Sequence, residues 1–175
     1  TKYFTQPIGN TNIGEREIDA QTWSSTEYVG RTMKNDETVF GVNFVDGRIK
    51  GYPKYNPRTQ EENKMYFRMV RGNVDYGKNN FIDNGDGTIS DLSTGLMWQK
   101  ADDGKGKDWE EALSYAENLE LANHSDWRLP NAKELQSIVD YSRSPQTTNS
   151  PAINPVFETT EIKDPEEKSG QYPFF

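Results

Sequence analysis

Asp126-Trp-Arg-Leu-Pro-Asn-Ala-Lys-Glu-Leu-Gln-Ser-Ile-Val-Asp140 is the stretch whose reading decides the fold. A short apolar segment, Trp127 and Leu129, runs into Pro130, and proline disfavours helical geometry in the residue before it. Asn131 has the side chain of a helix N-cap, and Glu134, three residues on, can reach back to the cap's own N–H. Leu135, Ile138 and Val139 follow at the spacing of one helical face. An extended segment is therefore predicted to turn sharply into an amphipathic helix over 131–141, with a large indole beside the turn. No side chain here is an evident nucleophile or metal ligand. Trp127, Arg128, Pro130, Asn131 and Glu134 read as structural residues of a buried corner.

Working outward, a second helix is predicted over 108–121. Asp108 is its cap, Glu111 completes a capping box, and Trp109, Ala112, Leu113, Ala116 and Leu119 form its buried stripe. Upstream, Phe81-Ile82 and Thr88-Ile89 flank Asp83-Asn-Gly-Asp-Gly87, a hairpin signal. Residues 94–99 form a further strand, 101–107 a loop, and the polar, aperiodic stretch 73–80 a linker. The first seventy residues read as all-β. Residues 21–28 are rich in β-prone side chains, and a short strand is expected at Tyr3-Phe4. Over 39–45 the sequence alternates, placing Phe40, Val42 and Phe44 on one face. Asp46-Gly47 is the turn, 48–52 the returning strand, and 65–70 alternates again with Met65, Phe67 and Met69 on one face. Residues 142–155 are expected to be loop, and 158–170 acidic and irregular. Tyr172-Pro-Phe-Phe175 ends the sequence on aromatics.

Composition removes several function classes. The 175 residues carry a net charge of −8, with a pI near 4.8. Phosphate contacts need clustered Lys and Arg, so nucleic acid is not an expected partner, nor is an anionic lipid surface. There is no cysteine, hence no disulfide framework, thiolate zinc site or cysteine nucleophile. No stretch approaches the ~20 apolar residues of a membrane helix. Mean hydropathy is −0.98, but the 4 Trp, 9 Tyr and 8 Phe sit in patterned segments, which argues for a small, aromatic-rich core and against disorder.

Candidate sites are few. Asp83, Asn84, Asp86 and Asp91 form an oxygen-rich set suited to Ca²⁺. An EF-hand register through Asp86-Gly87, however, lacks both end ligands, and Asn-Gly and Asp-Gly are common tight turns. Calcium is the one cofactor the sequence leaves open. His124 is the single histidine, which rules out His-based metal clusters, and it reads as a solvated loop residue. Trp23, Trp98, Trp109 and Trp127 could stack on sugars, but their places on two strands, a helix stripe and a corner suggest core. Tyr52, Tyr55 and Arg58, beside a Pro-rich loop, are the candidates for an exposed ligand contact. No catalytic motif is present, so no enzymatic activity is expected.

The wording of the decisive stretch resembles a known family. "DWRLPNAKELQSIVDY", "FIDNGDGTISDLSTGLMWQ" from Phe81 and the helix from Trp109 are similar to the bacterial domain of unknown function 1566. That domain forms the C-terminal part of the Legionella collagen-like adhesin. The resemblance implies an α+β, C-type-lectin-like domain, two helices on a twisted, mostly antiparallel sheet. It also implies an extracellular or cell-surface interaction module of bacterial type, with a glycan or host-surface ligand and no membrane insertion. A calcium- or carbohydrate-binding lectin-like monomer is the alternative.

In that family the piece resembling "WSSTEY" (23–28), the hairpin (39–52) and the last strand (66–71) follow the helices. Here they precede them. Residues 1–72 thus resemble the C-terminal half of such a domain, 73–80 a linker, and 81–175 the N-terminal half. The segment 2–8 echoes 155–162, as the end of one repeat and the start of the next would. Relatives often join the first helix to the last strand by a disulfide, and Ala116 and Met69 occupy those places here. Three arrangements stay open: halves permuted within one chain, exchanged between chains in a fibre, or cut from a tandem array. The expected partners are further copies or neighbouring repeats.

Overall fold

In the computed structural model, residues 21–32 and 35–160 are described, with the backbone of Asn12–Ile13 and Arg16–Glu17. The expected strand at Tyr3-Phe4, the segment 2–8, the stretch 161–170 and Tyr172–Phe175 lie outside the described residues. The chain divides into two compact units, Thr1–Gly72 and Asn73–Phe175. Helices are present and every ladder between strands is antiparallel, so the class is α+β.

In the first unit, β1 (Asn12–Ile13) pairs with β2 (Arg16–Glu17). A separate sheet has the order β3-β4-β5, from β3 (Gln21–Glu27), β4 (Thr38–Asn43) and β5 (Ile49–Pro53). The turn falls at the expected Asp46-Gly47: Gly47 has φ +76°, which costs glycine nothing, and its N–H donates to the Asn43 carbonyl at 2.8 Å. The register sets Trp23 and Lys50 opposite Gly41, and Tyr52 opposite Val39. A Cβ at Gly41 would lie 2.7 Å from the Thr22 carbonyl oxygen and 2.9 Å from the Tyr52 ring. Glycine there lets three strands and an aromatic ring close up.

The buried positions of β4 are Thr38, Val39, Gly41 and Asn43, and the alternating set among them, Val39, Gly41 and Asn43, is one residue out of phase with the expected Phe40, Val42 and Phe44. Phe40 is half-buried, edge-to-face with Tyr28 at 5.6 Å. Phe44 is exposed, because the turn begins directly after Asn43. Residues 65–70 also depart from expectation. Only Tyr66 joins β3, donating its N–H to the Gln21 carbonyl at 3.0 Å and accepting from Trp23 at 2.9 Å. Tyr66 is buried, while Phe67, Met69 and Val70 are exposed. The one backbone attachment buries Tyr66 alone, and both parities beyond it, Phe67 and Met69 as well as Arg68 and Val70, are exposed.

The second unit holds a sheet of order β6-β7-β8, from β6 (Phe81–Asp83), β7 (Thr88–Asp91) and β8 (Leu96–Gln99). Central β7 buries Thr88, Ile89 and Asp91, and Phe81 meets Phe157 edge-to-face at 5.2 Å. Residues 73–80 do more than link, since the Asn79 amide and the Asn80 N–H both donate to Asp91.

Both predicted capping boxes form, Asp108 with Glu111 on α1 (Trp109–Glu117) and Asn131 with Glu134 on α2 (Ala132–Ser137). Each helix stops short of its predicted end. On α1 the Asn118 side chain donates to the Ser114 carbonyl. On α2 the chain leaves after Ile138 because Val139 bridges to Ile153 and the Asp140 N–H donates to Ala152. Leu135 accordingly stays half exposed. Within the expected loop 142–155 lies a one-turn α3 (Pro145–Thr148), with Ser144 as its cap and Pro145 in its first turn.

Candidate functional site

The corner at 126–137 is built as a closed set of polar contacts. Asn131 Oδ1 accepts from the N–H groups of Lys133 and Glu134 at 2.9 and 3.0 Å, and Glu134 Oε2 accepts from the Asn131 N–H at 2.7 Å. The Arg128 guanidinium then clamps Glu134 with two donors, at 2.8 and 2.6 Å. The guanidinium first, and the Asn131 N–H second, hold the Glu134 carboxyl down at about 2. Trp127 donates its indole N–H to the Leu121 carbonyl at 3.3 Å, and its ring stands edge-on to exposed His124 at 6.5 Å. Arg128, Asn131 and Glu134 thus fix chain direction, at a corner corrected from buried to largely exposed: Arg128 and Asn131 are exposed and α2 buries none of its residues.

The Asp83–Asp91 loop spends its oxygens locally. Asp83 Oδ1 accepts from the Gly85 N–H, and Oδ2 lies 2.9 Å from Lys100 Nζ. Asn84 donates to Thr88 and Ser90. Asp86 accepts from the Thr88 N–H and hydroxyl. Asp91 is buried and accepts from Asn79, Asn80, Ser93 and Thr94. These are the contacts of a turn. Among the described residues no group of three or more His, Cys, Asp or Glu could hold a metal ion.

Beside this loop opens a cleft of about 410 Å³, whose lining includes Asp83, Gln99, Lys100, Asp102, Leu121 and Glu158. Lys100 sits between two carboxylates, 2.9 Å from Asp83 and 3.0 Å from Glu158. Asp83 and then Glu158 hold the ammonium above its usual range, and Lys100 in turn holds the Asp83 carboxyl below its own. Asp102 is likewise held low, chiefly by the Thr160 hydroxyl. Three carboxylates thus face one ammonium in the lining: Lys100 answers Asp83 and Glu158, while Asp102 accepts only from the hydroxyl and N–H of Thr160 and the Gly104 N–H. Of the lining residues only Asp83 was singled out from sequence. Glu158 reaches Lys100 through a parallel bridge at Ala101, a pairing 57 residues apart in sequence that leaves no local signal.

The expected contact trio separates. Tyr52 is buried, packed over Gly41 and opposite Val39, and is corrected from ligand contact to core. Tyr55 and Arg58 are exposed, as a contact surface requires. Of the four indoles, Trp23, Trp98 and Trp127 are partly buried, the Trp98 N–H fully so and without a hydrogen-bond partner among the described residues. Trp109 is corrected from the buried stripe: at the first position of α1 it lies 73% exposed, and the stripe beneath it begins at Ala112. Ala116 is buried and Met69 exposed.

No curated protein and no solved structure matches the chain. Among the described residues no helix is long and apolar enough to cross a membrane. Residues 87–171, just under half of the 175, match the family model of the Lcl C-terminal domain, so this part of the chain is similar to a bacterial adhesin-associated module.

Proposed function

We propose that the chain is a bacterial extracellular adhesion module that acts by binding and not by catalysis. The match of residues 87–171 to the Lcl C-terminal domain carries this reading. The absence of cysteine and the single histidine are in keeping with it. In this reading the domain type is that of unknown function 1566, with a C-type-lectin-like fold. Residues 1–72 supply the closing half of one domain and 81–175 the opening half of the next.

A sheet whose apolar side chains lack a helical layer needs a partner. Phe67, Met69 and Val70 in the first unit, and Trp109 and Leu135 in the second, are exposed in the single chain. The stretch 73–80 reaches at most about 27 Å at ~3.4 Å per residue, enough to deliver residues 81–175 to a neighbouring copy. Exchange of halves that does not close on itself builds a fibre. Binding of the intact protein to a glycan array, with and without EDTA, tests the adhesive role. Retention of sulfated glycans is not expected at a net charge of −8. Reproducible turnover of any glycan on the array overturns the non-catalytic reading.

A further inference from the structure

Asn84-Gly85 is the single Asn-Gly pair in the sequence, and it sits at the tip of the hairpin between β6 and β7 with both residues exposed. In such a pair the asparagine side chain cyclises most readily on the next peptide nitrogen, because glycine turns freely and puts no side chain in the way. Space around Gly85 is open, since a Cβ built there would meet nothing within 4 Å. Sterics leave the reaction unhindered, and only hydrogen bonds stand against it.

Those hydrogen bonds engage each group that must move. The Gly85 N–H, whose nitrogen is the nucleophile, donates to Asp83 Oδ1 at 2.9 Å. The other oxygen of Asp83 is held by Lys100, also at 2.9 Å. The Asn84 amide nitrogen, which is the leaving group, donates to Thr88 Oγ1 at 2.9 Å and to Ser90 Oγ at 3.0 Å. The Ser90 hydroxyl also lies 3.3 Å from Asn84 Oδ1 as its donor. The side chain is thus bound across the hairpin to β7. Cyclisation needs the reacting atoms close and aligned. The amide must therefore leave Thr88 and Ser90 while the Gly85 N–H leaves Asp83, which is a local opening of the hairpin tip.

We propose that Asn84 is a modification site gated by this hairpin, an amide while the tip is closed and converted to aspartate and isoaspartate when it opens. The Gly85 nitrogen attacks Asn84 Cγ and gives its proton to water or hydroxide. The N–Cγ bond forms, the Cγ–Nδ2 bond breaks, and Nδ2 takes up a proton and leaves as ammonia. Water then opens the five-membered imide: at Cγ it gives aspartate, and at the main-chain carbonyl of residue 84 it gives isoaspartate, with one more carbon in the main chain. The change hinders reclosing. The Thr88 hydroxyl already gives its one hydrogen to Asp86 Oδ1 at 2.6 Å, so a carboxylate at 84 meets the Thr88 oxygen with no hydrogen between them. Isoaspartate lengthens the connection that sets Ile82 opposite Ser90 and Asp83 opposite Ile89. A converted chain carries a lasting mark of having opened, next to a residue, Asp83, that lines the cleft. None of this depends on the adhesion reading.

Full-length protein held in mildly alkaline buffer tests the inference, with peptide mass spectrometry reading residue 84 as amide, aspartate or isoaspartate. Conversion in the folded chain should be at least about tenfold slower than in the same chain unfolded in urea, because only the open fraction reacts. Ser90→Ala removes one hydroxyl from the amide and leaves buried Thr88 in place. It should convert about threefold faster or more than the unaltered chain, the effect of one lost hydrogen bond. Asn84→Asp, which reproduces one product, should melt below the unaltered chain. No conversion in urea overturns the site. Conversion as fast in the folded chain as in urea overturns the gate, as does Ser90→Ala converting no faster than the unaltered chain. Asn84→Asp melting like the unaltered chain overturns the hindered reclosing.

Discussion

Asp91 gathers four donors onto two oxygens in the interior of the second unit. Burial pushes its carboxyl up, but the Asn80 N–H, the Asn79 amide, the Thr94 hydroxyl and the Ser93 N–H more than offset it. Asp91→Asn would turn one acceptor into a donor facing other donors. A buried polar group left unsatisfied costs about 1–3 kcal/mol, so urea unfolding should show a loss of about 2 kcal/mol. Glu134 makes a different, pH-dependent prediction. Its carboxyl falls from 4.5 to about 2 in the folded chain. A depressed carboxyl stabilises the fold above its unfolded value, and that contribution is lost as pH falls through the folded one. Melting temperatures of the protein and of Glu134→Gln should therefore differ most above pH 4.5 and converge toward pH 2. The gap will be small, because Arg128 is 61% exposed. A gap constant over that range contradicts the pairing.

At the scale of elements, what sequence showed was what neighbours in sequence decide. Both capping boxes, the Asp46-Gly47 turn and the 81–91 hairpin are local, and all formed where residue types placed them. The end of α2, the parity of β4 and the burial of Tyr52 depend on partners distant in sequence. The Lys100–Glu158 pair and the cleft were illegible for the same reason. Ser144-Pro145 did carry a helix-start signal that the surrounding polar residues obscured. Gly41 links element to packing: Gly41→Ala would press a methyl on the Thr22 carbonyl and the Tyr52 ring. Overpacking of this kind costs about 1–3 kcal/mol, and the change should appear as faster limited proteolysis of residues 21–53. Unaltered cleavage would refute the close approach. For the 83–91 loop, whose oxygens serve the turn, millimolar Ca²⁺ should leave the melting temperature unchanged. A rise abolished by Asp86→Ala would restore the metal reading.

For the whole molecule, the proposed completion by further copies of the chain draws on the exposed apolar side chains of each unit taken by itself. The alternation over 65–70 was visible in sequence, but that only Tyr66 would attach to β3 was not, since that pairing joins positions far apart in the chain. Net repulsion between copies at −8 opposes indiscriminate association, so the contact must be directional to persist. Sedimentation velocity of the unaltered chain across micromolar concentrations is the most direct measurement. The proposed exchange of halves predicts a ladder of species that lengthens with concentration. A single compact species of 20.0 kDa at every concentration would contradict it.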